Sequence, residues 1–142
     1  MDAAYAAGFR GERQLLAVTS IAVAESSLES TARNWHPEYG FRPRGDALGV
    51  SGGSSVRSPD GRQLHSDRGI WQISSRWWAR YSDAQCDNPR RAARIVFAIS
   101  KGGRDFSPWD TYKGGSAQAH YDRGLRGWPA LRPLVRRYLA LR

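Results

Sequence analysis

Residues 12–28, which read ERQLLAVTSIAVAESSL, decide the fold of this chain. Their apolar members recur at steps of three and four residues, the spacing of one face of an α-helix. They are Leu15, Val18, Ile21, Ala22 and Leu28. A rotation of about 100° per residue puts Glu25 in the same arc. The pattern therefore predicts a helix over 12–28 with a carboxylate on its apolar face.

Glu25 stands where a charged group is disfavoured. Burial penalises the carboxylate, so we expect its pKa to be raised and its proton to be held near neutral pH. A general acid that protonates a leaving oxygen needs this property. The alternative is an ion pair with one of the many arginines, in which Glu25 only braces the fold. Helix periodicity leaves both interpretations open.

The region after this helix has a different composition. Residues 33–67 are rich in Gly, Pro, Ser and charged side chains, with turn signals at Gly52-Gly53 and Pro59-Asp60-Gly61. This composition predicts a long functional loop or a small irregular β region. The run GIWQI at 69–73 predicts a strand or a tight turn, followed by a helical segment over about 75–81.

Two more helices are predicted in the second half. Asn88 and Pro89 predict the start of a helix that runs to Ser100 and ends at Gly102-Gly103. A final helix is predicted over about 130–141, with apolar residues inward and arginines more outward. The inward set is Leu131, Leu134, Val135, Tyr138 and Leu139, and the outward set is Arg132, Arg136 and Arg137. Together these elements predict one α+β domain, mostly helical, over residues 1–142.

The chain is strongly basic, with 22 Lys and Arg against 13 Asp and Glu and a net charge of +9. Lys101 and Lys113 are its lysines, so nearly all of the positive charge is arginine. Such a charge favours an anionic partner, either nucleic acid or the bacterial envelope. Generic solubility charge on solvated faces is the bland alternative.

Cysteine and histidine usage disfavours several kinds of chemistry. Cys86 is the one cysteine, which excludes an intrachain disulfide and predicts a buried or idle thiol. His36, His65 and His120 are too scattered to activate it or to give a metal-ligand spacing, so we expect no metal and no cofactor. No window approaches the roughly 20 apolar residues of a membrane span, and the first residues lack a signal-peptide pattern.

Five short motifs follow one another along the chain. They are IAVAESS at 21–27, ARN at 32–34, GIWQI at 69–73, DNP at 87–89, and FSPW at 106–109 with Tyr112 after it. Each alone would occur by chance. In this order they resemble the soluble lytic transglycosylase and goose-type lysozyme superfamily, in the versions found in phage and actinobacterial wall-degrading proteins. The resemblance covers about residues 8–122.

The resemblance implies a lysozyme-like fold and cleavage of the bond between N-acetylmuramic acid and N-acetylglucosamine in peptidoglycan. Glu25 matches the acid that protonates the glycosidic oxygen. The implied substrate-binding residues are Ser26, Ile70, Trp71, Gln72 and Tyr112. Each has a structural alternative: a helix-end hydroxyl for Ser26, an exposed amide for Gln72, and core packing for the aromatic rings. Trp77, Trp78 and Trp109 are further sugar-stacking candidates with the same alternative.

A second carboxylate decides between two mechanisms. Lytic transglycosylases of the resembled superfamily do without one, because the acetamido group of the substrate assists and the muramyl 6-hydroxyl closes to a 1,6-anhydro product. Goose-type lysozymes use aspartates near the signature to position water. Asp67 is the candidate here, although Arg68 offers it a surface salt bridge, and Asp46 and Asp60 are more typical of turns. We favour the transglycosylase and keep the hydrolase as the alternative.

The expected partners are peptidoglycan glycan strands and, through the positive charge, anionic wall polymers. We expect a monomer that acts on the bacterial cell wall and is delivered there by a holin, a virion tail or a larger polypeptide. Nucleic-acid binding is a different class of hypothesis, based on the charge, the arginine-rich final helix and the aromatic residues. No zinc-finger, nucleoprotein-signature or basic-zipper pattern supports it. A catalytically silent wall-binding module is the third hypothesis.

Overall fold

The structure is a computed structural model that describes residues 1–35, 57, 60–62, 64–113 and 128–142. Within these residues, the helices are α1 Asp2–Ala7, α2 Glu12–Ser26, α3 Asp83–Asp87, α4 Pro89–Ile99, α5 Asp110–Lys113 and α6 Trp128–Ala140. The strands are β1 Arg33–Trp35, β2 Ser66–Arg68 and β3 Ile73–Ser74. Helices thus dominate beside one small sheet. The predicted α+β, mostly helical class is confirmed.

Helix α2 runs through the core, as its apolar spacing predicts. Seven of its residues are buried: Leu15, Leu16, Ala17, Val18, Ser20, Ile21 and Ala22. The helix ends at Ser26, two residues earlier than predicted, because Ser27 and Leu28 take left-handed backbone angles with φ of 53° and 70°. Leu28 is consequently 54% exposed, and its predicted place on the apolar face is wrong.

The capping signals of α4 are confirmed. The Asn88 side-chain oxygen accepts hydrogen bonds from the backbone N–H groups of Arg90 and Arg91 at 3.1 Å each, and Pro89 occupies the first turn. These contacts satisfy N–H groups that lack partners within a helix. The inner face of α4 buries Ala92, Ala93, Ile95, Val96 and Ile99.

Helix α6 confirms most of its predicted inner face. Leu131 and Val135 are buried, whereas Leu134 is 57% exposed, so its predicted core position is wrong. Successive helix residues are about 100° apart around the helix axis. Seen from Leu131, Val135 and Leu134 are therefore rotated in opposite senses, and Leu134 falls outside the buried face. Arg132 and Arg136 reach back to Glu12 in the first turn of α2, at 3.2 and 3.0 Å. Helix α6 is thereby fixed beside the start of α2.

The predicted helix over 75–81 is wrong. This segment forms successive turns, and α3 begins after it, with the Ser82 hydroxyl accepting from the Gln85 backbone N–H at 3.3 Å. The carbonyl oxygens of Trp78 and Tyr81 accept hydrogen bonds from the guanidinium of Arg68, at 3.2 and 2.7 Å. The Arg68 side chain thus holds this segment through contacts that no local sequence pattern records. Helices α1 and α3, of six and five residues, were not predicted.

The three strands form an antiparallel sheet in the order β1-β2-β3. Two rows of residues cross it: Arg33, Arg68 and Ile73 in one, and Asn34, Asp67 and Ser74 in the next. Because successive strand residues point to opposite faces, the two rows lie on opposite sides of the sheet. A small β region between 33 and 74 is therefore confirmed. Six residues named in the sequence predictions lie outside the described residues: His36, Asp46, Gly52, Gly53, Pro59 and His120.

The described residues also bear on the thiol, on metal binding and on membrane-spanning helices. Cys86 is 1% exposed, and burial raises the pKa of its thiol to about 11. The predicted buried thiol is confirmed. In the part of the chain that the structure describes, no group of three or more His, Cys, Asp and Glu is arranged to hold a metal ion. None of the described helices is long and apolar enough to cross a bilayer.

Candidate active site

Residues 69–72 of the GIWQI stretch form a tight turn between β2 and β3, and Ile73 begins β3. Gly69 and Gln72 both take left-handed backbone angles, with φ of 71° and 47°. A Cβ atom at Gly69 would lie 2.1 Å from the carbonyl oxygen of Cys86 in α3, which is far inside van der Waals contact. Residue 69 must therefore be glycine for two independent reasons, its backbone angle and its neighbour. Of the two predicted forms, the turn is observed at residues 69–72, and a strand begins at Ile73.

Two tryptophans fix this turn to the core. The Trp71 ring is 4% exposed, and its Nε1 donates to the Val18 carbonyl oxygen of α2 at 2.8 Å. Trp109 is 5% exposed, and its Nε1 donates to the Trp71 carbonyl oxygen at 2.7 Å. A ring buried on both faces offers no platform for a sugar. Trp71 and Trp109 are therefore packing residues, which corrects the implied place of Trp71 at the substrate.

The end of α2 is tied directly to the turn. The Ser26 hydroxyl lies 2.9 Å from the Ile70 carbonyl oxygen and 3.1 Å from that of Ala22, one turn back in the helix. A hydroxyl has one proton, so it is shared between these two acceptors. The structure thus brings Ser26 and Ile70 together across 44 positions of sequence. Ser26 acts here as the structural alternative supposed, as a helix-end hydroxyl.

Glu25 immediately precedes this contact. Its side chain is half-buried, as are those of Val23, Ala24 and Ser26, whereas residues 15–22 of α2 are buried except at Thr19. Glu25 therefore stands where the helix leaves the core, and the burial expected from periodicity is only partial. This position combines reduced solvation with access from outside, which a proton donor to a bound substrate requires.

Gln72 braces the turn from the other side. Its Nε2 donates to the carbonyl oxygens of Gly69 at 2.9 Å and Ala32 at 3.3 Å. The amide is half-buried and not fully exposed, so its structural alternative is corrected. The two bonds use both N–H groups and leave Oε1 as the atom that can accept from a substrate N–H group.

Asp67 lies at the centre of the sheet, two residues before the turn. It is half-buried and stands between Asn34 and Ser74 in one cross-strand row. Side chains directly opposite one another on a sheet face are within interaction distance. The row is a polar strip next to the turn that Ser26 contacts.

Arg68 points to the opposite face and does not serve as a surface partner there. It is 1% exposed and donates to the Asp83 carboxylate at 3.0 Å and to the carbonyl oxygen of Ile73 at 3.1 Å. Arg33 adds a bidentate pair with Asp87 at 2.7 and 2.8 Å, and its Nη2 lies 3.5 Å from Asp83. Although burial opposes the charged form, the hydrogen bonds with Asp87 raise the pKa of Arg33.

This network of two arginines and two aspartates clamps α3 beneath the sheet and so holds the carbonyl oxygen that faces Gly69. The sequence predictions missed it. The available signal was the spacing of Asp83 and Asp87, which puts both carboxylates on one face of a helix, close to two arginines at strand positions.

Two other aromatic residues differ in exposure. Trp77 is 74% exposed, so its ring is open to a ligand, and it stays a candidate for sugar stacking. Tyr112 is half-buried, with its ring centroid 5.3 Å from that of Phe106, in a cavity of about 230 Å³ shared with Arg13. Arg13 precedes Glu25 by twelve residues, about 18 Å along α2. The implied role of Tyr112 in binding the substrate stays a prediction.

Comparison with known proteins bears on this part of the chain. Residues 46–111 match the model of a family described as a lysozyme-like domain. The matched range contains Asp67, the GIWQI turn, α3, α4 and Trp109, whereas Glu25 and Ser26 precede it. No curated protein and no solved structure matches the chain. Residues 46–111 are thus matched as a lysozyme-like domain, and the resemblance of the chain to the soluble lytic transglycosylase and lysozyme-like superfamily is confirmed.

Proposed function

We propose that this protein is a peptidoglycan lytic transglycosylase with Glu25 as its general acid and base. The lysozyme-like domain supports glycosidic-bond cleavage in peptidoglycan as the general activity. The observation that carries the finer proposal is the position of Glu25, half-buried at the end of α2 and one residue from the Ser26–Ile70 contact. The acid and the signature turn of a lysozyme-like domain are then parts of one site.

The proposed reaction conserves every atom of the glycan. Glu25 donates its proton to the oxygen that joins N-acetylmuramic acid to N-acetylglucosamine, and the bond from C1 to that oxygen breaks. The acetamido group of the muramyl residue supports C1 during this step. The 6-hydroxyl then attacks C1 and gives its proton to the Glu25 carboxylate, which closes the 1,6-anhydro ring without consuming water.

The local environment of Glu25 supports the first step. Its carboxyl group lies in the last turn of α2, where unpaired backbone carbonyl groups carry partial negative charge. The half-buried side chain can still be reached from outside, so a bound glycan could meet the Glu25 carboxyl group. Gln72 Oε1 would accept from an N–H group of the sugar, and Ile70 would contact the substrate from the exposed side of the turn.

The hydrolytic muramidase is the second candidate, and Asp67 is the observation that favours it. Asp67 lies within the matched lysozyme-like range, half-buried in the polar row with Asn34 and Ser74. A carboxylate in that row would orient a water molecule for attack on C1. The two candidates therefore share Glu25 and differ in their need for Asp67.

The variants Glu25→Gln and Asp67→Asn test this division. Glu25→Gln removes the proton donor and keeps the shape, so we expect wall cleavage to fall at least about 10³-fold. Asp67→Asn should change the rate less than about threefold for a transglycosylase and more than about 100-fold for a hydrolase. Release of soluble muropeptides from purified peptidoglycan measures both rates.

Matched controls keep the test specific. Glu29→Gln and Asp60→Asn remove exposed carboxylates outside α2 and the sheet, and both should cleave like the wild type. Retained cleavage in Glu25→Gln would remove Glu25 from the site. No cleavage by the wild type on several wall types would leave the silent wall-binding module and the nucleic-acid hypothesis. Delivery by a holin, a virion or a larger polypeptide, the phage-like type, the monomeric state and the single domain over 1–142 stay predictions.

A further inference from the structure

A groove of about 400 Å³ lies between α1, α4 and α6. Its charged and aromatic lining consists of Asp2, Tyr5, Arg90, Arg94, Tyr138 and Arg142. Helix α6 lies against the first turn of α2 through the ion pairs with Glu12. Glu25 is thirteen residues further along that helix, about 20 Å. The groove is thus separate from the candidate active site.

Two arginines of the groove lack an ionic partner among the described residues. Arg90 and Arg94 are exposed, and no carboxylate among the described residues lies within ion-pair distance of either. They stand four residues apart on one face of α4, where like charges repel. They also lie in the first half of that helix, whose N-terminal end carries partial positive charge. The groove therefore concentrates positive potential that the described side chains leave uncompensated.

The opposite wall already holds an oxyanion. The Tyr138 hydroxyl donates to the Asp2 carboxylate at 2.8 Å, and the Arg142 guanidinium bonds the same oxygen. The hydrogen bond from Tyr138 holds the pKa of Asp2 below its usual value. Arg142 is in turn held over the rings of Tyr5 and Tyr138, at 5.5 and 4.9 Å from their centroids. Hydroxyl and guanidinium donors are thus positioned for acidic oxygens.

The charges that line the groove favour a phosphate as its ligand. Asp2 compensates Arg142, which leaves Arg90 and Arg94 for an external anion. Guanidinium groups bind phosphate oxygens in pairs, and two of them four residues apart suit a ligand that repeats its charge. A volume of about 400 Å³ is within the range of ligand sites and holds more than a single ion.

We propose that this groove binds phosphodiester groups of an anionic polymer in the bacterial wall and so retains the enzyme on its substrate. The proposal rests on the proposed function for the identity of the surface, since the wall is where such an enzyme works. The groove would act as an anchor, and Glu25 would cleave glycan strands at a separate place on the molecule. Binding should also weaken as salt rises, because contacts to a polyanion release counterions.

The test compares two double variants with the same loss of charge. Arg90→Gln with Arg94→Gln removes the unpaired arginines of the groove, and Arg91→Gln with Arg137→Gln removes two exposed arginines that do not line it. Sedimentation measures binding to walls that carry phosphodiester polymers and to the same walls stripped with cold hydrofluoric acid. We expect the groove variant to lose about tenfold in affinity for polymer-bearing walls and the control variant less than twofold.

Three results would overturn the proposal. They are equal losses in both double variants, unchanged wild-type binding to stripped walls, and loss of duplex DNA binding in the groove variant without loss of wall binding. Inorganic pyrophosphate should displace the wild type from polymer-bearing walls, and failure to do so would also contradict a phosphate site. Equal melting temperatures of the variants check the fold.

Cleavage of stripped peptidoglycan separates this proposal from the proposed function. The groove variant should cleave stripped walls at the wild-type rate, since its arginines lie away from Glu25. A wild type that binds polymer through the groove but cleaves no glycan would support the groove and contradict the transglycosylase. A wild type that cleaves stripped glycan but binds no polymer would support the glycan-cleaving function and contradict the groove.

Discussion

The arginines on two sides of this molecule have opposite surroundings. Beneath the sheet, Arg33 and Arg68 are paired with Asp83 and Asp87 and largely removed from water. In the groove of α1, α4 and α6, Arg90 and Arg94 are exposed and have no carboxylate partner among the described residues. The arginines behind the net charge of +9 therefore stand in two different environments, one buried and paired and one exposed. One set of arginines supports the turn of the candidate active site, and the other is exposed on the surface.

Removing Arg68 should have the largest effect on stability. Arg68→Met would remove the 3.0 Å ion pair with the buried Asp83 carboxylate and would strip hydrogen bonds from three carbonyl groups. Breaking a buried ion pair in this way costs about 3 to 5 kcal/mol. Urea unfolding measures it, with Arg94→Met as the matched control, which we expect to change stability by less than about 0.5 kcal/mol. Similar losses in both variants would erase the contrast between the two sets of arginines.

The contact between Gly69 and the Cys86 carbonyl oxygen should have the second largest effect on stability. Gly69→Ala places a methyl group where the Cys86 carbonyl oxygen stands 2.1 Å away, at a φ of 71°. Because the obstacle is backbone held by the arginine network, we expect a loss of about 2 to 4 kcal/mol and reduced cleavage. Gly61→Ala is the control, since Gly61 has a φ of 82° and no atom within 4 Å of its added Cβ. It carries the backbone strain alone, about 1 to 2 kcal/mol.

Cys86 lies in α3 beneath the sheet, and the reactivity of its thiol reports whether this helix stays packed there. Burial raises the pKa of its thiol from 9.0 to about 11, so at pH 8 the folded protein should hold roughly 100-fold less thiolate than the unfolded chain. Labelling by a thiol reagent should be slower by at least this factor and should accelerate in Arg68→Met. Because the unfolded thiol ionises first, folding stability should fall between about pH 9 and 11. Equally fast labelling of native and urea-unfolded protein would contradict the buried position.

Local sequence signals predicted the elements whose determinants are local. The periodicity of α2 and the Asn88-Pro89 start of α4 depend on neighbouring residues, and both helices were confirmed. The segment 75–81 was predicted wrongly as a helix, and its contacts with the side chain of Arg68 are ones that no local pattern records.

The candidate site divides in the same way. Resemblance identified Glu25 and the GIWQI stretch, but the Ser26–Ile70 contact that joins them spans 44 positions and required the fold. Trp71 was assigned to the substrate because it lies inside the signature, whereas its hydrogen bond to Val18 keeps the ring in the core. A motif by itself therefore does not state what each of its residues contacts.

The central claim concerns Glu25 and the product that it makes. Mass spectrometry of muropeptides released from purified peptidoglycan by the wild type, beside Glu25→Gln, tests it most directly. For a lytic transglycosylase, we expect fragments that end in 1,6-anhydromuramic acid from the wild type and none from Glu25→Gln. Fragments with a reducing-end muramic acid would contradict the transglycosylase and establish the hydrolase, and anhydro products from Glu25→Gln would contradict the role of Glu25.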